Sequence, residues 1–106
     1  MAVESLKNAI QQGIRTGEVY FNLGRSYDSV GDLQNAVKSY GIAVGYSPNE
    51  PIYWLHYGYA LQQTGEQEEA ITILQQASSL TTSSESLVEA YDRLQKFRSH
   101  FLSKTQ

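Results

Sequence analysis

Apolar and small residues recur along this chain with a period of 34 residues. The positions of one block are Tyr20, Leu23, Gly24, Tyr27, Gly31, Ala36, Tyr40, Ala43 and Pro48, and a shift of 34 places them on Trp54, Tyr57, Gly58, Leu61, Gly65, Ala70, Leu74, Ala77 and Thr82. Within each block many of these residues are three or four positions apart, which is the spacing of one helix face. A fixed period of this length is typical of stacked helical hairpins.

Each block contains two helical patterns that are separated by a glycine. Gly31 and Gly65 suit the left-handed end of a helix, and Asp32 suits an N-cap. Pro51 suits the first turn of the helix that opens the second block. Because the links are short, the helices of each pair are expected to pack antiparallel. The predicted helices cover about 18–30, 33–46, 52–64 and 67–80.

One further helix is predicted on each side of the two blocks. The helix over about 3–15 has the register of the second helix of a pair, and the helix over about 84–102 has that of a first helix. Asp92 replaces the glycine in that last helix, and terminal repeats are commonly atypical. We therefore expect a single domain over 1–106, with a half-repeat at 1–16, repeats at 17–50 and 51–84, and a C-terminal capping helix at 85–106.

The composition is that of a folded chain, with 41% hydrophobic residues and two prolines. There is no cysteine, which excludes a disulfide framework and a thiolate site. The sequence has no apolar run of about 18 residues and no signal-peptide pattern, so direct membrane insertion is not expected. A cytoplasmic or other soluble location is the corresponding expectation.

The net charge of −3 is unevenly distributed. Residues 39–92 carry seven acidic groups without a Lys or Arg, whereas residues 93–106 carry four basic groups without an acid. Nucleic acid is not an expected partner, because binding to phosphates needs an extended basic surface. We interpret the basic C-terminal residues as a solvated helix face.

The pattern resembles the tetratricopeptide repeat, whose signature runs from a large aromatic through Leu-Gly and Tyr to Ala, an aromatic, Ala and Pro. The first block matches this signature at Tyr20, Leu23, Gly24, Tyr27, Ala36, Tyr40, Ala43 and Pro48. The second block reads Trp54, Tyr57, Gly58, Leu61, Ala70, Leu74 and Ala77 at these positions, with Thr82 in place of the proline. The resemblance implies an all-α fold, a right-handed superhelical α-solenoid of antiparallel helix pairs with about five or six helices. It also implies that the first helix of each pair lines a concave groove, and that the partner is a protein or a peptide.

Packing accounts for most of the residues that recur between the two blocks. Gly24 and Gly58 have no side chain, so the paired helix can approach closely. A glycine inside a helix costs about 0.5–1 kcal/mol relative to Ala, and its presence at matching places implies that packing offsets this cost. We interpret the tyrosines as packing residues and not as a ligand site.

Residues of the first helices that lie off the packing stripe are the candidates for partner binding. We expect Phe21, Leu55 and Tyr59 as apolar groups exposed in the groove, flanked by Arg25 and Arg93, since such patches often mark interaction sites. The alternative is that neighbouring helices shield Phe21 and Leu55. The predicted groove residues are Phe21, Asn22, Arg25, Asp28, Leu55, His56, Tyr59, Gln62, Arg93 and Lys96.

One branch of the family binds the C-terminal carboxylate of chaperone tails with Lys, Asn and Arg in the groove. This chain departs from that pattern, with Phe21 and Arg25 in place of Lys and Asn and with His56 in place of a second Asn. In the last helix Ser86 and Ala90 replace the basic pair. A cochaperone of that kind is therefore not expected.

Catalysis needs converging reactive groups, and the sequence offers none. His56 and His100 lie far apart in a quasi-linear stack, and no phosphate loop, nucleophile motif or metal-ligand cluster is present in the sequence. An enzyme, a cofactor or a metal is thus not expected. The predicted function is a protein–protein interaction module or scaffold that binds a partner peptide or helix, as an assembly factor or chaperone. The alternative is a module that forms a homo-oligomer through its terminal helices, or a fragment of a larger scaffold.

Overall fold

The computed structural model describes residues 2–80, which form five α-helices and no strand. The four helices predicted within the two blocks are confirmed to within one residue at each end. The helix predicted over 84–102 lies outside the described residues. The helices are α1 (Ala2–Gln11), α2 (Gly17–Ser29), α3 (Leu33–Tyr46), α4 (Pro51–Gln63) and α5 (Gln67–Ser79).

Glycines in the left-handed conformation end three of the helices. Gly31 has a φ of 82°, and the N–H of the following Asp32 donates a hydrogen bond of 2.9 Å to the Tyr27 carbonyl. The same arrangement recurs after α4, where Gly65 has a φ of 90°. These bonds satisfy carbonyls that the end of a helix leaves without partners. Gly13, with a φ of 96°, acts in the same way after α1, so the prediction that the first helix continues to 15 is wrong.

Side-chain caps fix the starts of two helices. Asp32 accepts a hydrogen bond of 3.3 Å from the backbone N–H of Asn35, which confirms the predicted N-cap of α3. Thr16 accepts one of 3.2 Å from the N–H of Val19 and caps α2. Pro51 begins α4, where its missing N–H costs no helical hydrogen bond.

The helices of each pair pack antiparallel, and the glycines of the first helix mark the closest approach. Gly24 of α2 lies against the Tyr40 ring of α3, and a Cβ at Gly24 would lie 2.6 Å from Tyr40 Cδ1. At one end of the same pair, the rings of Tyr20 and Tyr46 stack with centroids 5.5 Å apart. Gly58 of α4 lies against Leu74 of α5 in the same way, with 2.7 Å for the corresponding distance to Leu74 Cγ.

The two pairs are joined by packing of α3 against α4. Ala36 and Tyr40 of α3 share a buried cluster with Ala60 of α4. The indole N–H of Trp54 donates a hydrogen bond of 2.8 Å to the Pro48 carbonyl in the connection between the pairs. The result is a series of hairpins in which α2 and α4, the first helices of the two pairs, lie side by side. None of the helices in residues 2–80 is long and apolar enough to cross a membrane.

Replacing Gly24 with Ala should lower the free energy of unfolding by about 1–3 kcal/mol, the usual cost of overpacking. The added Cβ would meet a Tyr40 ring that is fully buried and therefore has no free space to occupy. Urea unfolding followed by circular dichroism measures this change.

Gly45→Ala is the matched control, because Gly45 also lies in a helix but has no atom within 4 Å of its would-be Cβ. This variant should be more stable than the wild type by about 0.4–1 kcal/mol. A Gly24→Ala variant that gains as much stability as the control would show that close approach at Gly24 does not constrain the pair.

Candidate partner-binding groove

The face shared by α2 and α4, called here the α2–α4 face, is built on one phenylalanine. The Phe21 ring of α2 stacks on the Tyr53 ring of α4, with centroids 4.3 Å apart and planes inclined by 20°. His56, one turn further along α4, meets Phe21 edge-on with centroids 5.0 Å apart. Such aromatic pairs contribute about 0.5–1.5 kcal/mol beyond the area that they bury. These contacts therefore hold the two first helices together.

Two of the predicted groove residues are part of the core. Phe21 is 8% exposed, because the rings of Tyr40, Tyr53 and His56 surround it. Leu55 is 3% exposed and packs with neighbours on α5. The expectation that both are apolar groups exposed in a groove is wrong, and the alternative, shielding by neighbouring helices, describes their environment. Their identity is thus required for packing.

Gln62 is also buried, at 4% exposure, and its amide has no hydrogen-bond partner among residues 2–80. Its repeat equivalent, Asp28, has one, because the Tyr40 hydroxyl donates a hydrogen bond of 3.3 Å to the Asp28 carboxylate. The equivalent of Tyr40 in the second repeat is Leu74, which has no hydroxyl. The hydrogen bond between Tyr40 and Asp28, which joins α3 to α2, therefore has no counterpart between Leu74 of α5 and Gln62 of α4.

The accessible part of the α2–α4 face is polar and aromatic. Arg25 is exposed, and its guanidinium carbon lies 5.9 Å from the centroid of the Phe21 ring, within the range of a cation–π contact. Asn22, Asp28, His56 and Tyr59 are half-buried. The structure thus brings these predicted residues onto one face, whereas Arg93 and Lys96 lie outside the described residues.

The electrostatic environment of this face is set by burial and by the charges of Arg25 and Asp28. Burial lowers the pKa of His56 below its ordinary value of 6.5, and the positive charge of Arg25 lowers it further, while Asp28 opposes the shift. Burial raises the pKa of the Tyr40 hydroxyl, and the Asp28 carboxylate adds to this increase. The pKa of Tyr59 is also raised by burial and then by Asp28. His56 is therefore neutral at pH 7.

Tyr53 lies on this face, although it is not among the groove residues predicted from the sequence. It lies outside the repeat signature, and its equivalent in the first repeat is Val19. Burial raises the pKa of its hydroxyl, and the carboxylates of Glu50 and Glu18 raise it further. A signal was present, since Tyr53 precedes His56 by three positions and so shares its helix face.

The α2–α4 face offers several kinds of binding group. Among residues 2–80 no three His, Cys, Asp or Glu side chains are placed to hold a metal ion. The face has an exposed cation, a half-buried carboxylate, a neutral imidazole and phenol hydroxyls, and the exposed carboxylates of Glu18 and Glu50 lie near Tyr53. Side chains of these types recognise polar and aromatic groups of a macromolecular partner.

The series of antiparallel hairpins is an α-solenoid, and a solenoid of 34-residue helix pairs defines a family. The model of the tetratricopeptide repeat matches residues 17–50 and 52–83, so the chain belongs to the tetratricopeptide repeat family. Members of this family are typically interaction modules without catalytic activity, and the family match supports a protein-interaction module for this chain.

Among solved structures, the chain is similar to that of the MamA R50E mutant. The two are 28% identical, with a TM-score of 0.69, and the match covers 74% of this chain and 57% of that chain. The chain therefore spans less than two thirds of the length of this structural relative. No curated protein matches the sequence.

Lowering the pH should reduce the stability of the fold through His56. Since the pKa of His56 is lowered in the folded state, the unfolded chain binds more protons as the pH falls below about 6.5. The contribution of this histidine then decreases the free energy of unfolding by at most about 1.4 kcal/mol per pH unit. Urea unfolding at several pH values between about 7.5 and 5 measures the slope, because histidines titrate in this range.

The control is His56→Gln, which cannot titrate and should show a smaller decrease in stability over the same range. His100 and the carboxylates are unchanged in this variant, so the difference between the two slopes belongs to His56. Equal slopes for the two proteins would contradict the assigned environment of His56.

Proposed function

We propose that this chain is a non-catalytic adaptor that holds a peptide or a helix of a partner protein on the α2–α4 face. The supporting observation is that polar and aromatic side chains from both first helices lie together on this face and remain at least partly accessible. The residues proposed to contact the partner are Asn22, Arg25, Asp28, His56 and Tyr59. Arg93 and Lys96 are also proposed from the sequence alone, because they are the equivalents of Tyr59 and Gln62 after a further shift of 34 residues.

Phe21, Leu55 and Gln62 have a different role in this proposal. Because they are buried, they support the face from below and do not contact the partner directly. Arg25 is held over a ring that is itself fixed by its neighbours, so little side-chain freedom is lost when Arg25 binds. Arginine and tyrosine also carry much of the energy in measured interfaces. Arg25 and Tyr59, which are equivalent positions of the two repeats, are therefore the proposed centre of the contact.

Assembly-factor, scaffold and chaperone roles are three forms that such binding takes in cells, and each requires the same contact. The bound segment would be helical or extended, and its side chains would contact both Arg25 and Tyr59. The family match supports protein binding as the activity.

Arg25→Glu combined with Tyr59→Ala should weaken binding of the natural partner at least about tenfold, since two central contacts are removed and one charge is reversed. The partner would be isolated by affinity capture with the wild-type chain, and its bound segment would be mapped by cross-linking. Isothermal titration calorimetry with that segment then measures the affinity of each variant.

Lys38→Glu is the matched control, because Lys38 is an exposed cation on α3 and its reversal changes the net charge equally. This control should retain wild-type affinity, and thermal unfolding should show that all variants are folded. Wild-type affinity in the double variant would rule out the α2–α4 face as the binding site.

A further inference from the structure

The charged groups of the α2–α4 face are not equally available to a partner. The Asp28 carboxylate accepts the hydrogen bond of the Tyr40 hydroxyl, so it is engaged towards α3. Arg25 is exposed and forms no ion pair within residues 2–80. Its guanidinium carbon lies over the Phe21 ring, which leaves the N–H groups free to donate hydrogen bonds. Of the two charged groups that act on His56, Arg25 and Asp28, Arg25 is therefore the more available to a partner at neutral pH.

His56 contacts the same Phe21 ring from its edge, so Arg25 and His56 adjoin one aromatic group. The groups that face His56 from α2 are Phe21, Arg25 and Asp28, and the group from α3 is Tyr40, whose ring centroid is 5.8 Å away. Tyr53 and Tyr59 lie near it on its own helix. Burial and the charge of Arg25 keep the imidazole neutral at pH 7. A proton on His56 would add a second positive charge beside Arg25.

Building on the proposed function, we infer that the α2–α4 face selects partner segments that present an acidic side chain to Arg25, and that His56 strengthens this contact in acid. Charge complementarity is the reason, because a carboxylate side chain compensates an exposed guanidinium and can bind it with two parallel hydrogen bonds. A basic side chain would meet the like charge of Arg25, and the nearby Asp28 carboxylate already accepts the hydrogen bond of Tyr40. The preferred partner segment thus has an acidic side chain, and not a basic one, at the position that meets Arg25.

The carboxylate that binds Arg25 belongs to a side chain of the partner segment and not to its C-terminus. The residues that clamp a terminal carboxylate in one branch of the family are replaced here, with Phe21 at one of those positions inside the core. One arginine over an aromatic ring offers a single carboxylate site, which a Glu or Asp within a segment can reach.

Selection from a displayed library of random peptides of about 12 residues, long enough for three helical turns, tests this inference. The peptides are fused through their C-termini, so that they offer no free terminal carboxylate. The full 106-residue chain, the Arg25→Glu variant and the Lys38→Glu control are each used as bait. Binders of the wild type and the control should be enriched in Asp or Glu at one position, and binders of Arg25→Glu should be enriched in Lys or Arg there.

Each selected peptide is also measured against a Tyr59→Ala variant. Peptides that lose binding to this variant but show no acidic preference would overturn this inference and leave the proposed function intact. If no selected peptide depends on Tyr59 or Arg25, both the inference and the proposed function fail. A preference that appears only in synthetic peptides with a free C-terminus would also overturn the inference, because the carboxylate would then be terminal.

The contribution of His56 is measured with one selected peptide, synthesised with an amidated C-terminus. Its affinity for the wild type should rise at least about threefold between pH 7.5 and 5.5, because a bound carboxylate stabilises the imidazolium and so raises the pKa of His56 in the complex above its lowered value in the free chain. An acidic side chain with a pKa near 4 stays ionised over this range. The His56→Gln variant should show no rise. An unchanged or lower affinity of the wild type at pH 5.5 would contradict the assigned role of His56.

Discussion

The contact between a glycine of one helix and a large side chain of its partner is the constraint on which the rest of the structure depends. Gly24 meets Tyr40 and Gly58 meets Leu74, in each case at a distance that leaves no room for a Cβ. These contacts fix how closely the paired helices approach, and the packing of α3 against α4 then places α2 beside α4. The burial of Phe21 between α2, α3 and α4 follows from this spacing. The same glycines would weaken an isolated helix, so the helices depend on their pairing for stability.

Much of the fold could be predicted because its determinants are local in sequence. The glycines with positive φ, the Asp32 cap and Pro51 act within a few residues of their own positions, and the helix bounds in the two repeats were predicted closely. The end of α1 was predicted wrongly because Gly13 lies outside the two blocks in which a glycine was expected to end a helix.

The candidate site was predicted less well, because burial depends on helices that are distant in sequence. Phe21 packs against Tyr53, and Leu55 packs against Leu74. The equivalence of positions 34 residues apart does not place these residues near each other. A row of equivalent positions also hides chemical differences between repeats. Asp28 and Gln62 occupy the same register, yet one is bound by a tyrosine hydroxyl and the other is a buried amide beside a leucine. Register therefore predicts position along the stack but not accessibility.

The accessible polar residues of the α2–α4 face, supported by buried Phe21, are the proposed binding surface of this tetratricopeptide repeat chain. Nuclear magnetic resonance with a labelled chain tests this proposal by titration with the mapped partner segment. The largest side-chain shifts, and intermolecular contacts, should occur at Arg25, His56 and Tyr59, with smaller shifts at the Phe21 ring. Shifts and contacts confined to the outer surface of α3, around Ile42 and Tyr46, would contradict it, because both side chains are exposed on a different helix.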